Sequence, residues 1–211
     1  MKPLKIFQSL PWLDEQPKKS VLYILLGSFL SISQTQLEEL ATVLVTSLVK
    51  FLWVASDNST RVQEIVGKDG LVVPWCEQLK VLCHPSIGGF LTHCGWNSTL
   101  EALYAGIPML TFPICFDQDG DSRLIVEKWK MGVSLKGKRG KYDIVWKEDI
   151  AKVVREFMDL DREKSKELRE EALKLKAAAH NAIEGGLNKY LGFALIIFRL
   201  PAINFTGDLF V

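Results

Sequence analysis

The hydrophobic positions of this chain fall into short continuous runs separated by amphipathic stretches. Val21 to Leu26 reads V-L-Y-I-L-L and is closed by Gly27-Ser28, the pattern of a strand buried on both faces. Ser33 and Gln36 form a capping box, behind which Leu37, Leu40, Ala41, Leu44 and Leu48 keep helical spacing. Phe51–Val54, Leu71–Val73 before Pro74, Gly89–Leu91, and Met109–Phe112 between Pro108 and Pro113 repeat the strand pattern, each followed by helix-compatible sequence. Ser122–Lys130 then predicts a helix and Gly132–Leu135 a sixth strand. Such alternation predicts an α/β domain, a doubly wound parallel sheet with helices on both faces.

The ends of the chain differ from this middle. Residues 1–20 carry Pro3, Pro11 and Pro17 in a polar mix around Trp12-Leu13-Asp14, which reads as a linker. From Lys147 to Ile183 the chain is charged and helical, with Ile150, Val153, Val154, Phe157 and Met158 as an apolar stripe, a helical cap on the sheet domain.

Composition narrows the partners. At 211 residues with 48% apolar side chains the chain can bury a sizeable core. Its 26 basic and 25 acidic side chains leave a net charge of +1, too little to draw it to nucleic acid or an anionic bilayer. The basic loop Lys136–Lys141 could bind an anion but reads better as a solvated loop. Leu191–Phe198 is an apolar run ended by Arg199 and far shorter than the ~20 residues of a membrane span. The start Met1-Lys2-Pro3-Leu4-Lys5 lacks the apolar run of a secretory signal, so a cytoplasmic protein with reduced thiols is expected. The sequons at Asn58, Asn97 and Asn204 are then chance matches.

The candidate chemistry is concentrated in Trp75–Gln118. In doubly wound sheets, ligands sit beyond the carboxyl ends of strands, where loops feed helix N-termini. Thr92-His93-Cys94-Gly95-Trp96-Asn97-Ser98 has that position, and Asn97 or Ser98 is expected to cap the helix that follows. Free amides and a positive dipole end suit a diphosphate there without any lysine. Gly95 lets the backbone approach closely, and His93 can donate to a phosphate oxygen. A lone histidine is as readily a core residue, but the adjoining Gly-Trp-Asn-Ser favours the ligand role. Glu101 lies one turn beyond Asn97, where a carboxylate can accept from both ribose hydroxyls or simply stabilise the helix dipole. Trp75, set by Pro74, can stack on a base, with the Cys76 backbone at the base edge, or pack in the core. Asp117 and Gln118 can grip sugar hydroxyls, or Asp117 can cap a turn.

Two other chemistries are disfavoured. Cys76, Cys83, His84, His93 and Cys94 are close in sequence, but C-x6-C-H and H-C lack the C-x2-C pairs of structural zinc, so no metal is expected. No G-x-G-x-x-G follows any strand, which argues against a dinucleotide cofactor.

The stretch resembles the plant secondary-product glycosyltransferase signature of family 1 UDP-glycosyltransferases. The match includes Trp75, Gln78, His84, Gly88, Phe90, the run Thr92–Ser98, Glu101, Gly106, Pro108, Pro113, Asp117 and Gln118, without gap or insertion. The resemblance implies the C-terminal, Rossmann-like half of a GT-B glycosyltransferase, with the UDP-sugar as co-substrate and no cofactor. By it, Trp75 stacks on uracil, Glu101 holds the ribose, and His93, Asn97 and Ser98 hold the diphosphate. Asp117 and Gln118 grip the sugar, Trp96 shapes its pocket, Ser28 in the Gly27-Ser28 turn meets the phosphates, and Gln78 belongs to the same site. A closing glutamine, as at 118, is similar to glucose-using members. The implied reaction is inverting transfer, with glucose as the expected sugar, to a hydroxyl of a small acceptor such as a flavonoid or other phenol.

The resemblance runs from about Gln8 to Gly186. It implies residues 1–20 as a linker remnant from a missing N-terminal domain, 21–186 as the UDP-sugar-binding domain and 187–211 as an atypical tail. Family members are about twice this length, two domains of ordinary size, and their catalytic histidine and its partner aspartate lie in the N-terminal domain. His84, His93 and His180 are no counterparts, so no catalytic residue is assigned to this chain. The alternative expectation is a UDP-sugar-binding fragment without turnover.

Overall fold

The computed structural model describes residues 9–27, 34–56, 59–114, 118–135 and 147–184. Six parallel strands form one sheet: β1 (Val21–Leu25), β2 (Lys50–Val54), β3 (Gly70–Val73), β4 (Ile87–Thr92), β5 (Met109–Thr111) and β6 (Gly132–Ser134), in the order β3-β2-β1-β4-β5-β6. The expected doubly wound α/β architecture is therefore present. The chain winds outward from β1 to β3, returns to the centre, and winds the other way from β4 to β6. That reversal lies between β1 and β4, which pair with Leu25 opposite Thr92, and in doubly wound sheets the ligand crevice lies beyond the carboxyl ends of such a strand pair.

Side chains alternate across the sheet as a period of two requires. Tyr23, Leu52, Phe90 and Met109 enter one apolar layer, while Leu22, Ile24, Phe51, Trp53, Leu91 and Leu110 enter the other. The first layer is covered by α1 (Ser9–Asp14), α4 (Gln78–Leu82), α5 (Trp96–Ala105) and much of α8 (Glu163–Glu184). The second is covered by α2 (Gln34–Thr46), α3 (Ser59–Val66) and α7 (Lys147–Met158). Both faces are thus dry, which is why the strands read as continuous apolar runs.

Within the stretch expected to be a linker, residues 9–14 instead form α1, whose Leu13 is fully buried. His84 pins this helix: its Nε2 lies 3.1 Å from Asp14 Oδ1 and its Nδ1 2.8 Å from Ser86 Oγ. The helix expected over Ser122–Lys130 begins earlier, as α6 (Gln118–Arg123), and widens into a π-helical turn over Leu124–Lys128. The wide turn closes with Trp129 N donating to Leu124 O at 2.8 Å and leaves Trp129 fully buried.

The helical cap steadies α5. Ala172, Leu175 and Ala179 of α8 share a buried cluster with Ala102, Leu103 and Ala105 of α5. His180 stacks on Tyr104 at 4.3 Å and lies within 3.1 Å of its carbonyl. Among the described residues, no helix is long and apolar enough to cross a membrane.

Candidate functional site

A cavity of about 440 Å³ opens at the carboxyl ends of β1 and β4. It is lined by eight of the residues singled out in the sequence, Trp75, Cys76, Gln78, His93, Gly95, Trp96, Asn97 and Ser98, together with Tyr23, Leu25 and Gly27. Ser28 and Asp117 lie outside the described residues, as do Ser33 of the expected capping box and the basic loop 136–141.

The start of α5 differs from the expectation. Gly95, in extended conformation (φ −62°, ψ 136°), is the N-cap, so Asn97 and Ser98 lie inside the first turn and no side chain caps it. The chain turns earlier because Cys94 N donates to Thr92 Oγ1 at 3.1 Å, and Cys94 takes the left-handed conformation with φ 68°. The first helical bond runs from Thr99 N to Gly95 O at 3.0 Å. The amides of Trp96, Asn97 and Ser98 precede that bond and lie at the cavity wall, where the helix dipole adds positive potential. An uncapped helix start of this kind is a stronger anion site than one whose donors are already used.

His93 sits beside these amides. Its ring is wedged between two glycines: a Cβ at Gly95 would lie 2.6 Å from Nε2, and one at Gly27 (φ +90°) would lie 3.3 Å from Cδ2. Its Nδ1 is 3.4 Å from Leu25 O, which assigns the Nδ1–H donor to that carbonyl. Burial lowers the imidazole pKa below its ordinary value, with the Leu25 carbonyl opposing in part. The ring is thus neutral at pH 7, with Nε2 unprotonated. Donation to a phosphate oxygen from Nε2 requires a second proton, which a bound dianion favours.

Trp75 is the exposed edge of the cavity, with 54% of its surface open to solvent, so its ring is presented rather than packed. Below it, Gln78 Nε2 donates to Glu101 Oε2 at 2.7 Å and to Ser98 Oγ at 3.1 Å. Glu101 itself lies off the described wall of the cavity and is tied to it through Gln78, which occupies one of its two oxygens. Tyr23 reaches the same group from β1, its hydroxyl 3.4 Å from Cys76 Sγ and 3.5 Å from Gln78 Oε1. Tyr23 was missed in the sequence, although a phenol inside the apolar run of β1 is itself a signal, because a buried hydroxyl needs a partner.

Gln118 is placed differently. It is 5% exposed, opens α6, and its Oε1 accepts from Ile114 N at 2.8 Å. It lies off the described wall of the cavity. Of the thiols, burial raises the pKa of Cys76, and that of Cys94 to about 12. Both are held protonated, and among the described residues no group of three or more His, Cys, Asp or Glu side chains is placed to hold a metal ion.

Residues 7–173 match the family described as UDP-glucoronosyl and UDP-glucosyl transferase. The chain is similar to UDP-glycosyltransferase 87A2 of Arabidopsis thaliana, with 46% identity over 82% of this chain and 38% of that protein. It is also similar to anthocyanidin 3-O-glucoside 5-O-glucosyltransferase of Verbena hybrida, at 41% identity over 83% of this chain and 39% of that protein. Among solved structures it resembles Medicago truncatula UGT71G1 complexed with UDP-glucose, with a TM-score of 0.76 and 33% identity over 94% of this chain and 45% of that one. The chain spans about two fifths of the length of the curated relatives it matches.

Proposed function

The chain belongs to the UDP-glucoronosyl and UDP-glucosyl transferase family, and from that premise we propose that the cavity at β1 and β4 is the donor site for a UDP-sugar. The observation that carries this reading is the uncapped start of α5, whose three leading amides meet a cavity with an exposed tryptophan at its edge. In this reading the diphosphate lies on the amides of Trp96, Asn97 and Ser98, with His93 and Ser28 beside it. Uracil stacks on Trp75 with the Cys76 backbone at its edge, and the ribose hydroxyls meet the free oxygen of Glu101 beside Gln78. Asp117 and Gln118 grip the sugar, which requires Gln118 to exchange its bond to Ile114 for one to the ligand. Residues 21–186 are the donor-binding domain.

The proposed donor is UDP-glucose and the proposed acceptor a phenolic hydroxyl, in a cytoplasmic reaction of plant secondary metabolism. The UDP-glucose complex of UGT71G1 supports the donor. The name of the Verbena relative, a glucosyltransferase for an anthocyanidin glucoside, supports the acceptor class. Transfer proceeds by in-line displacement at the anomeric carbon with inversion. The protein's part is to hold the leaving diphosphate on fixed amides, where the charge that develops on it is stabilised without reorganisation.

A second reading is a module that binds the UDP-sugar without turning it over. It is favoured by the placement of the histidines: His84 is held by Ser86 and Asp14, His180 is stacked on Tyr104, and His93 lies in the donor cavity. None is placed to deprotonate an acceptor. Incubation of the purified chain with radiolabelled UDP-glucose and a panel of phenols separates the two. Glucoside in excess of protein establishes transfer, bound UDP-glucose without product establishes the module, and no binding overturns both.

A further inference from the structure

We propose that Tyr23 is a positioning residue for the donor site, holding the Gln78 amide in the orientation that leaves Glu101 ready for a ribose. This inference rests on the donor-site reading above. Tyr23 is fully buried at the centre of β1, its ring stacked on Phe90 with centroids 5.0 Å apart, so the hydroxyl is carried on a rigid base. Its position is set by the sheet rather than by a loop.

The hydrogen bonds run in one direction. Tyr23 O–H donates to Gln78 Oε1, which leaves the phenol oxygen to accept from the buried Cys76 thiol, and the two Nε2 hydrogens of Gln78 go to Glu101 and Ser98. A flipped amide would put Gln78 Oε1 against the Glu101 carboxylate and Nε2 against Tyr23. The Glu101 carboxylate, which can only accept, turns Nε2 toward itself, and Tyr23 O–H supplies the donor that the Gln78 carbonyl then needs on its other side. Four segments meet in this relay: β1, the loop after β3, the start of α4 and the first turn of α5. Partners 53 and 55 residues from Tyr23 in sequence are tied to it through one hydroxyl.

The consequence concerns the nucleoside half of the ligand. Without the hydroxyl, Gln78 Oε1 loses its donor, so the amide that meets Glu101 through Nε2 is held from one side only and aims the carboxylate less firmly. The diphosphate half rests on the α5 amides, which do not depend on Tyr23. Loss of the hydroxyl is thus expected to act on UDP and spare inorganic pyrophosphate.

The test is calorimetric titration of the whole chain with UDP and, separately, with inorganic pyrophosphate, for wild type, Tyr23→Phe, Gln78→Ala and the double variant. Tyr23→Phe keeps the ring and its stacking on Phe90. It is expected to weaken UDP roughly fivefold, the size of one hydrogen bond, with pyrophosphate unchanged. In the Gln78→Ala background the same substitution is expected to cost nothing further. A merely structural tyrosine would weaken both ligands together or keep its effect without Gln78. Either result, or unchanged UDP affinity in Tyr23→Phe, overturns the positioning role alone. Failure of the wild-type chain to bind UDP overturns the donor-site reading and this role with it.

Discussion

The two ends of strand β4 solve opposite problems with the same materials. At its amino end, polar groups are tied to one another. Arg169 of α8 donates to the carbonyls of Gly88, Phe157 and Ser165 at 3.0 to 3.2 Å, and Ser165 Oγ donates to Glu156 O at 2.7 Å. His84, Ser86 and Asp14 close the adjoining turn. At the carboxyl end, three helix amides, a neutral imidazole and an exposed indole are left facing a cavity. Groups that are mostly satisfied hold the sheet and its helices in place, with Arg169 Nε the exception there, while the α5 amides are available to a ligand.

The sharpest way to break the contrast is at its structural pole. Arg169→Ala removes several carbonyl partners at once and is expected to cost roughly 2–4 kcal/mol of stability, read from the urea midpoint, with UDP affinity of the folded chain unchanged. A loss of UDP affinity would show that the two ends are coupled. Trp75→Ala tests the ligand pole: UDP affinity is expected to fall by about 1–3 kcal/mol, the range for base stacking, with the urea midpoint unmoved because the ring is already exposed.

A smaller effect separates the halves of the ligand. Glu101→Ala is expected to weaken UDP by about 1–2 kcal/mol and leave inorganic pyrophosphate unaffected, since only UDP has a ribose. Equal losses would assign Glu101 to the helix dipole. The smallest effect is the pH response of His93. Its folded pKa lies below the ordinary value near 6.5, so the native state binds fewer protons than the unfolded chain as the pH falls. The stability this contributes is complete above pH 6.5 and is lost as the pH falls through the lower folded value. Urea midpoints between pH 8 and 5 are expected to fall less steeply for His93→Gln than for wild type.

Much of this was legible beforehand, for identifiable reasons. Strands of a doubly covered parallel sheet must be apolar on both faces, so β1 announced itself as an unbroken apolar run closed by Gly27-Ser28, and β5 as one set between Pro108 and Pro113. The residues gathered at the cavity were legible because Trp75–Ser98 is one stretch of chain, and local order carries it from β3 to α5. The helix cap was misplaced because Asn97 and Ser98 have the composition of caps, whereas the Thr92 side chain turns the chain two residues earlier. Helix α1 looked like a linker because its stability comes from Leu13 entering a core built by later residues.

By itself, then, the amino-acid sequence determined the alternation of elements, the sheet they build and the segment that lines the cavity. These follow from local periodicity and from glycine, proline and polar residues at fixed spacing. Tertiary structure alone decided which polar groups are used and which are left open. Gln118 turned to Ile114, His93 gave its proton to Leu25, and Tyr23 met Cys76 and Gln78 across the sheet. A hydrogen bond needs a partner within about 3.5 Å, and between distant segments only the folded chain sets that distance.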